Sequence, residues 1–384
     1  MKILVLGRGI PNEEYPQEGC FEWDQAQCLK KDNHEVIYMY LDARYRKKGH
    51  QWGINESVID GIPVYCIYMG TLSCLYRIRA YRLGDWLSNF IILKLFKYIL
   101  GKHDDIDVVH SHYLGGNNRG VHLKKKCNIP VVGTEHLSDM VKPKLSSYYL
   151  RLGNKTYKYL DQLIVVSQFL QKAIEGKFKV KSIVCSNVLG KEFENIEILK
   201  SGGKNKLFTF VACGSLIPRK GFDILIEAAY KLEIPKNKWQ IEIIGEGPQK
   251  KELQRKIKEL ILEDNIHLVG KCNKKQIRDF YLNADCFILS SKSETFGVVL
   301  IEALACGLPS IATRCGGADE IMNETSGIYV PTNDSDALAN AMKEMYINYE
   351  KYDKETIRDI CLSKYSSVAI AKELTKIYKK VIDK

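Results

Sequence analysis

Short apolar runs separated by longer mixed segments recur along the whole chain of 384 residues. In the first half they are Ile3 to Leu6, Glu35 to Leu41, Val64 to Met69, Val108 to Ser111, Val131 to Gly133 and Leu163 to Val166. A polar bridge at 200–206, with Gly202 and Gly203, interrupts the rhythm. It restarts with Phe208 to Ala212, Ile241 to Ile244, His267 to Val269, Phe287 to Leu289, Ser310 to Thr313 and Ile328 to Val330. Near-continuous apolar strands alternating with helical patterns predict a parallel sheet covered on both faces. The length leaves room for two such cores. The expected fold is therefore α/β, two Rossmann-like doubly wound halves that share an architecture without repeating a sequence. A last helical pattern runs from about Val368 to Ile382.

The chain is organised around Ser290 to Pro309. A buried strand ends at Leu289, a polar elbow follows, apolar residues recur at helical spacing from Phe296, and Gly307 with Pro309 stops the helix. Glu294 lies in the elbow and Glu302 eight residues on, which a mostly helical segment would separate by about 10 Å. That span suits a ligand with a sugar at one end, a ribose at the other and phosphates between them at the helix N-terminus. Two solvated glutamates on an amphipathic helix is the plain alternative for the spacing alone.

In open parallel sheets ligands bind beyond the carboxyl ends of strands, so each polar turn after a strand is a candidate site. Gly7-Arg8-Gly9 follows the first strand, but Pro11 and Asn12 stand where a dinucleotide fingerprint needs its third glycine. Thr134-Glu135-His136 ends another strand, which aims His136 at a ligand. Gly214-Ser215-Leu216-Ile217-Pro218-Arg219-Lys220-Gly221 leaves a strand and enters a helix near Phe222, so Arg219 and Lys220 project where phosphates would bind. Gly245-Glu246-Gly247-Pro248 is a further such turn. His110 and His112 share a strand face, with no third ligand at metal spacing; one is expected to pack and the other to point towards the ligand near Tyr113. Asp105 and Asp107 precede their strand and read as solvated turn residues, and Asp334 as a helix start.

The elbow and helix, written Ser-x-x-Glu-x-Phe-Gly-x-x-x-x-Glu-Ala-x-Ala-x-Gly-x-Pro, resemble the signature of retaining glycosyltransferases with the GT-B fold, the large family called glycosyltransferase family 4 or group 1. The resemblance is dense from Phe208 to Pro331 and thinner from Met1 to Asn187. It implies an acceptor-side domain over 1–190, a nucleotide-sugar domain over 191–365, a central cleft between them, and a C-terminal helix over 366–384 crossing back onto the first domain. His136 would then contact the donor sugar, while Lys220 and Arg219 would meet its diphosphate. Glu294 would grip sugar hydroxyls, and Glu302 the ribose or the diphosphate surroundings. Gly19, Gly214, Ser215, Gly245, Gly247, Thr295, Phe296, Gly297 and Val298 would frame the donor. Ser215 replaces the arginine usual in the family, and Ser186 and Val188 replace the Pro and Gly of its Pro-Asn-Gly turn. The donor is a nucleotide-diphosphate sugar, with no other cofactor and no metal implied. No covalent nucleophile is assigned.

Charge narrows the partners. Residues 1–190 carry 27 Lys and Arg against 18 Asp and Glu, and residues 191–384 carry 30 against 28. The basic surplus of the first half fits an anionic membrane or a phosphorylated acceptor, and no nucleic-acid motif accompanies it. Residues 72–102 interleave six cations with Trp86, Phe90 and other large apolar residues around a single acid, Asp85. That stretch reads either as core helices or as an inner-membrane surface contact. Twelve scattered cysteines without a Cys-x-x-Cys pair fit a reducing cytosol, and no leader is read ahead of Ile3. The expected function is hexosyl transfer to a glycan or lipid-linked acceptor in surface polysaccharide synthesis. A sugar-nucleotide epimerase or hydrolase and a non-catalytic nucleotide binder are the rivals.

Overall fold

The computed structural model describes residues 1–12, 15, 18–43, 52–70, 72–197 and 207–384. The polar bridge read at 200–206 lies outside them. The chain forms two compact units, one of Met1–Val188 with Ser367–Lys384 and the other of Leu189–Ser366.

In the first unit β1 (Lys2–Gly7), β2 (Glu35–Asp42), β3 (Gly53–Ile59), β4 (Ile62–Tyr68), β5 (Val108–His112), β6 (Val131–Glu135), β7 (Gln162–Val165) and β8 (Ile183–Val184) form one sheet, ordered β3-β4-β2-β1-β5-β6-β7-β8. Alternate residues of β1 serve opposite faces, as a pleated strand requires. Ile3 and Val5 pack with Trp23, Leu29, Leu374 and Tyr378, whereas Leu4 and Leu6 pack with Ile92, Leu95, Phe96 and Leu123. Both faces are covered, which explains the unbroken apolar run.

The sheet departs from the sequence expectation at its edges. β3 is antiparallel to β4, joined through Asp60 and Gly61, both at positive φ as a tight hairpin turn demands. All of β3 except Asn55 is exposed, and Asn55 is half-buried, so it has no apolar run to betray it. β8 is only two residues long.

In the second unit β9 (Phe208–Cys213), β10 (Trp239–Ile244), β11 (Ile266–Gly270), β12 (Cys286–Leu289), β13 (Ser310–Thr313) and β14 (Gly327–Val330) form an all-parallel sheet ordered β11-β10-β9-β12-β13-β14. The chain runs outward from β9 to β11, then returns to lay β12 against the other side of β9. The loops leaving β9 and β12 therefore diverge at a topological switch point, where doubly wound sheets bind ligands. The first unit has the same reversal between β1 and β5.

The helix after β12 is Val298–Ala305, with Gly297 at φ 108° preceding it. It starts two residues later than the pattern predicted, because the backbone between Glu294 and Gly297 is occupied otherwise: Glu294 bridges to Gly316. The segment between Glu294 and Glu302 is thus only half helical.

The terminal helix Ser367–Ile382 belongs to the first unit and packs along the helix Cys20–Lys31. Its Ile370, Leu374, Ile377 and Tyr378 are buried. Leu374→Ala should lower the stability of the chain by about 2–5 kcal/mol, the usual cost of emptying a packed leucine site. Val368→Ala, at a position 73% exposed, should change it by less than about 0.5 kcal/mol. Urea unfolding followed by circular dichroism compares the two; equal midpoints would mean that the helix is not packed as described.

Candidate active site

The loops after β9 and β12 are laced together in the second unit. Ser290 Oγ donates to the Lys220 carbonyl at 2.9 Å, and the Lys292 amide donates to the Arg219 carbonyl at 2.8 Å. Gly221 makes this approach possible: its φ is 66°, and a Cβ there would lie 2.1 Å from the Ser290 carbonyl oxygen. The result is a short 3-10 turn, Pro218–Lys220, held against the elbow that carries Glu294. The elbow is pinned from the other side. The Glu294 amide donates to Cys315 O at 2.8 Å, and the Gly317 amide donates to Glu294 O at 2.9 Å.

Three side chains converge on the buried Glu294 carboxylate. Lys220 Nζ lies 2.6 Å from Oε1, Ser291 Oγ donates to the same oxygen at 2.6 Å, and Arg219 Nη1 is 3.4 Å from Oε2 while donating to Ser293 O at 3.0 Å. Burial pushes the carboxyl pKa up, but Lys220, the Ser291 hydroxyl and Arg219 outweigh it and hold Glu294 below the ordinary carboxylate value. Two cations meet one anion, so the site keeps a positive excess. Arg219 is the more exposed cation, with 38% of its side chain accessible against 14% for Lys220.

The surrounding predicted residues gather in the same unit. Gly214 donates its amide to Ile244 O, and Gly245 donates its own to Gly270 O, both at 2.9 Å. Leu216, one residue past Ser215, donates to Glu246 O at 2.9 Å. Gly247 crowds Leu216, and Gly317 crowds Thr295. Phe296, Thr295 and Glu294 are all buried. Glu302 is buried on the helix beyond Gly297 and Val298, and Lys274 Nζ stands 3.5 Å from its carboxylate. It therefore belongs to a second ion pair and not to the Glu294 cluster.

The first unit builds a different kind of site. Gly19, at φ 64° with a hypothetical Cβ 2.0 Å from Gly9 O, lets the start of the helix Cys20–Lys31 lie against Gly9. Arg8 pairs with the fully buried Glu22 at 2.8 Å and lies 3.5 Å over the Tyr113 ring. Tyr113 begins its helix at φ 60°, an uncommon conformation for an aromatic residue. His136 is buried, stacked on Phe21 with ring centres 5.5 Å apart, and 4.9 Å from Tyr113. Its Nε2 is 3.1 Å from His112 Nδ1. Burial, with Arg8 and His110 nearby, pushes the His136 pKa down to about 3, so the ring is neutral. Glu135 supports the turn by accepting from the amides of His136 and Leu137, and from Tyr157 Oη at 2.6 Å.

Sequence reasoning expected one of the β5 histidines to point at ligand, but both are fully buried. His110 is held by Tyr378 Oη at 2.6 Å and Thr134 Oγ1 at 2.7 Å. Among the described residues no group of His, Cys, Asp and Glu could hold a metal ion. Asp107 accepts from the Lys2 amide at 2.7 Å, at the start of the sheet. Asp334 caps the helix Ser335–Asn348. Ser291, Arg8 and Glu22 were not assigned roles from sequence. Ser291 was legible as the serine of Ser-x-x-Glu, whereas the Arg8–Glu22 pair depends on how the helix Cys20–Lys31 packs against the turn after β1, and the meeting of His112 with His136 on the pairing of β5 with β6.

Known proteins share this chain's pattern. The family profile for Glycosyl transferases group 1 matches residues 193–357, and that for Glycosyltransferase Family 4 matches residues 23–187. An uncharacterized glycosyltransferase of Methanocaldococcus jannaschii is 30% identical over 359 residues, spanning 91% of this chain and 90% of its own. The gpi3 subunit of a phosphatidylinositol N-acetylglucosaminyltransferase of Schizosaccharomyces pombe is 27% identical over 384 residues, spanning 95% of this chain and 78% of its own. Among solved structures, Anabaena HepE in complex with UDP and glucose superposes with a TM-score of 0.70 at 19% identity, covering 99% of this chain and 100% of that one. At that identity the likeness is one of fold, GT-B.

Lys220→Met would leave Glu294 buried with Arg219 alone as counter-charge, at an expected cost of about 3–5 kcal/mol near neutral pH. The Glu294 pKa then rises above its unfolded value, so the native state binds the extra proton. Stability is regained as pH falls through the raised pKa and lost as it rises. Thermal melts of variant and parent from pH 7 to pH 4 should therefore converge on acidification. A gap that stays constant would show that the pair is not coupled.

Proposed function

The chain belongs to the group 1 glycosyltransferases, and from that premise we propose that it moves a hexosyl group from a nucleotide-diphosphate sugar to a glycan or lipid-linked acceptor, retaining anomeric configuration and using no metal. The observation that carries the reading is the Glu294 carboxylate met by Lys220 and Arg219 at the switch point of the second sheet. A nucleoside diphosphate leaves with growing negative charge, and cations fixed in place stabilise that charge more in the transition state than before it. Lys220 and Arg219 take this role. Glu294 holds hydroxyls of the sugar and sets the position of both cations. His136 supplies a neutral hydrogen-bonding group to the sugar.

In the step proposed, the bond from the anomeric carbon to the diphosphate breaks with its electron pair leaving on phosphate. The acceptor oxygen attacks the same face of a short-lived oxocarbenium-like ion, and its proton passes to a phosphate oxygen. The HepE complex with UDP and glucose supports a nucleotide-sugar donor. The name of the S. pombe relative supports an acceptor carried on lipid, in a pathway of surface polysaccharide or glycolipid synthesis at the cytoplasmic face of a membrane. Family membership favours transfer over the epimerase or hydrolase reading.

Contact with the membrane has its own support. No described helix is long and apolar enough to cross a bilayer, yet the helix Tyr81–His103 leaves Trp86 63% and Phe90 44% exposed. The two rings stack with planes 7° apart, and Lys94 Nζ stands 4.7 Å over Phe90. Leu83, Arg79, Arg82 and Lys97 are exposed around them. Aromatic bulk among cations fits an interface with anionic lipid.

Two tests follow. Incubated with labelled nucleotide sugars and membrane extract, the parent should label a lipid or polysaccharide fraction. Glu294→Ala and Lys220→Ala should each lose at least about 100-fold of the rate while still folded; free sugar as sole product would favour a hydrolase. In vesicle sedimentation with phosphatidylglycerol, Trp86→Ser with Phe90→Ser should weaken binding about tenfold or more. Unchanged sedimentation would remove this face from the membrane contact.

A further inference from the structure

Arg119, on the helix Tyr113–Cys127, is a half-buried cation whose charge no acid answers among the described residues. Its Nε is closed to solvent and has no hydrogen-bond partner. The two Nη groups also lack a partner among the described residues, but they are not closed off. The stem is therefore held in place while the end of the guanidinium stays open, an arrangement that is costly unless something else meets the charge. The side chain leans toward the start of its helix, as long helical side chains do. Its Nη2 lies 3.9 Å from where a Cβ on Gly115 would stand. That start is the carboxyl end of β5, where the Tyr113 ring is 4.9 Å from His136.

An acid is close by along the packed helices, and it pairs elsewhere. Asn118, next to Arg119, donates its Nδ2 to Asn89 Oδ1 at 3.2 Å, and Asp85 lies one turn before Asn89 on the same face of the helix Tyr81–His103. The buried Asp85 accepts at Oδ1 from Tyr76 Oη at 3.2 Å and from Tyr148 Oη at 2.9 Å. Its Oδ2 takes no donor among the described residues and is not closed off. Tyr148 stacks on Tyr81 with ring centres 4.3 Å apart, and all three tyrosines are half-buried. A cation and an acid that do not pair with each other keep their capacity for a ligand carrying both an anion and hydroxyls. The same helix turns Trp86 and Phe90 outward, so these groups stand beside the face proposed to meet the membrane.

We propose that Arg119 and Asp85 form the acceptor subsite, and that the acceptor is a sugar or polyol phosphate: the two Nη groups of Arg119 hold phosphate oxygens, and Asp85 Oδ2 accepts a hydroxyl of the ring that bears the phosphate. A planar guanidinium with both terminal nitrogens open is matched to two phosphate oxygens at once. The assignment rests on the glycosyltransferase reading given above. The phosphate is carried either by a lipid or by a soluble acceptor, and the chemistry of recognition is the same.

The full chain is tested with two probes. Calorimetric titration with glucose 6-phosphate should show binding that Arg119→Gln weakens about tenfold or more at an unchanged melting temperature, that Arg119→Lys restores in part, and that survives in Lys220→Ala. Sedimentation compares vesicles of phosphatidylinositol with vesicles of phosphatidylglycerol, equal in charge but without the ring of hydroxyls. A loss in Arg119→Gln confined to phosphatidylinositol assigns the phosphate to lipid, and a loss confined to glucose 6-phosphate assigns it to a soluble acceptor. Parental binding of both probes by Arg119→Gln, or an equal loss on both kinds of vesicle, overturns the subsite. With membrane extract and labelled nucleotide sugar, Arg119→Gln should raise KM for the acceptor and keep kcat; a parental rate at limiting extract overturns the acceptor role. If the parent binds a probe through Arg119 but transfers no sugar, the glycosyltransferase reading fails, and the acceptor role with it, while the phosphate site stands.

Discussion

The ion pair between Lys220 and Glu294 is the interaction on which the second unit's site depends. It joins two loops 74 residues apart in sequence, and it does so where the carboxylate is almost fully withdrawn from water. A buried carboxylate is tolerated only when its charge is answered and its lone pairs are filled. Lys220 and Arg219 answer the charge, and Ser291 fills a lone pair. A carboxylate so held is a fixed acceptor for hydroxyl groups. The cations that hold it retain charge to spare for a phosphate, because one anion does not neutralise two. In the proposed reaction, an acid beside the donor's phosphates is then a division of labour and not a conflict.

The sheets explain why these groups meet. Each unit starts in the middle of its sheet, runs out to one side and restarts on the other, so its first and returning strands open a gap at their carboxyl ends. In the second unit that gap receives Lys220 and Glu294. In the first it receives Arg8 and Tyr113, with His136 from the next strand. The terminal helix takes part too, since its Tyr378 reaches through the core to His110, which braces Thr134 two residues before His136.

How far the sequence reveals this depends on the kind of signal. All six strands of the second sheet were legible as short apolar runs, most plainly the central β9, β12 and β13, which are buried on both faces, and Lys220, Glu294 and His136 were legible as polar residues in the turns after strands. β3 was not, because an exposed edge strand answers to its hairpin turn and not to a core. The helix start at Val298 was missed for a similar reason: apolar periodicity does not report that Glu294 is pairing with Gly316 across the loop. The inward placement of both β5 histidines escaped as well. Their partners lie 24 and 268 residues away, and only the strand order brings them near.

The two units also differ in electrostatic character, and the proposed chemistry gives that difference a use. In the second, burial is overruled by opposite charge and Glu294 stays ionised. In the first, no carboxylate among the described residues is shown at the imidazole nitrogens of His112 or His136, and burial with neighbouring cationic or imidazole groups depresses both pKa values. A charged imidazole would repel the positive anomeric centre that forms as the sugar loses its leaving group. A neutral one contributes its hydrogen bond without that penalty, and the penalty avoided belongs to the transition state alone, where differential stabilisation sets the rate. If the proposed chemistry holds, burying the histidines does more than pack them: it removes the protonation state that such a reaction would disfavour.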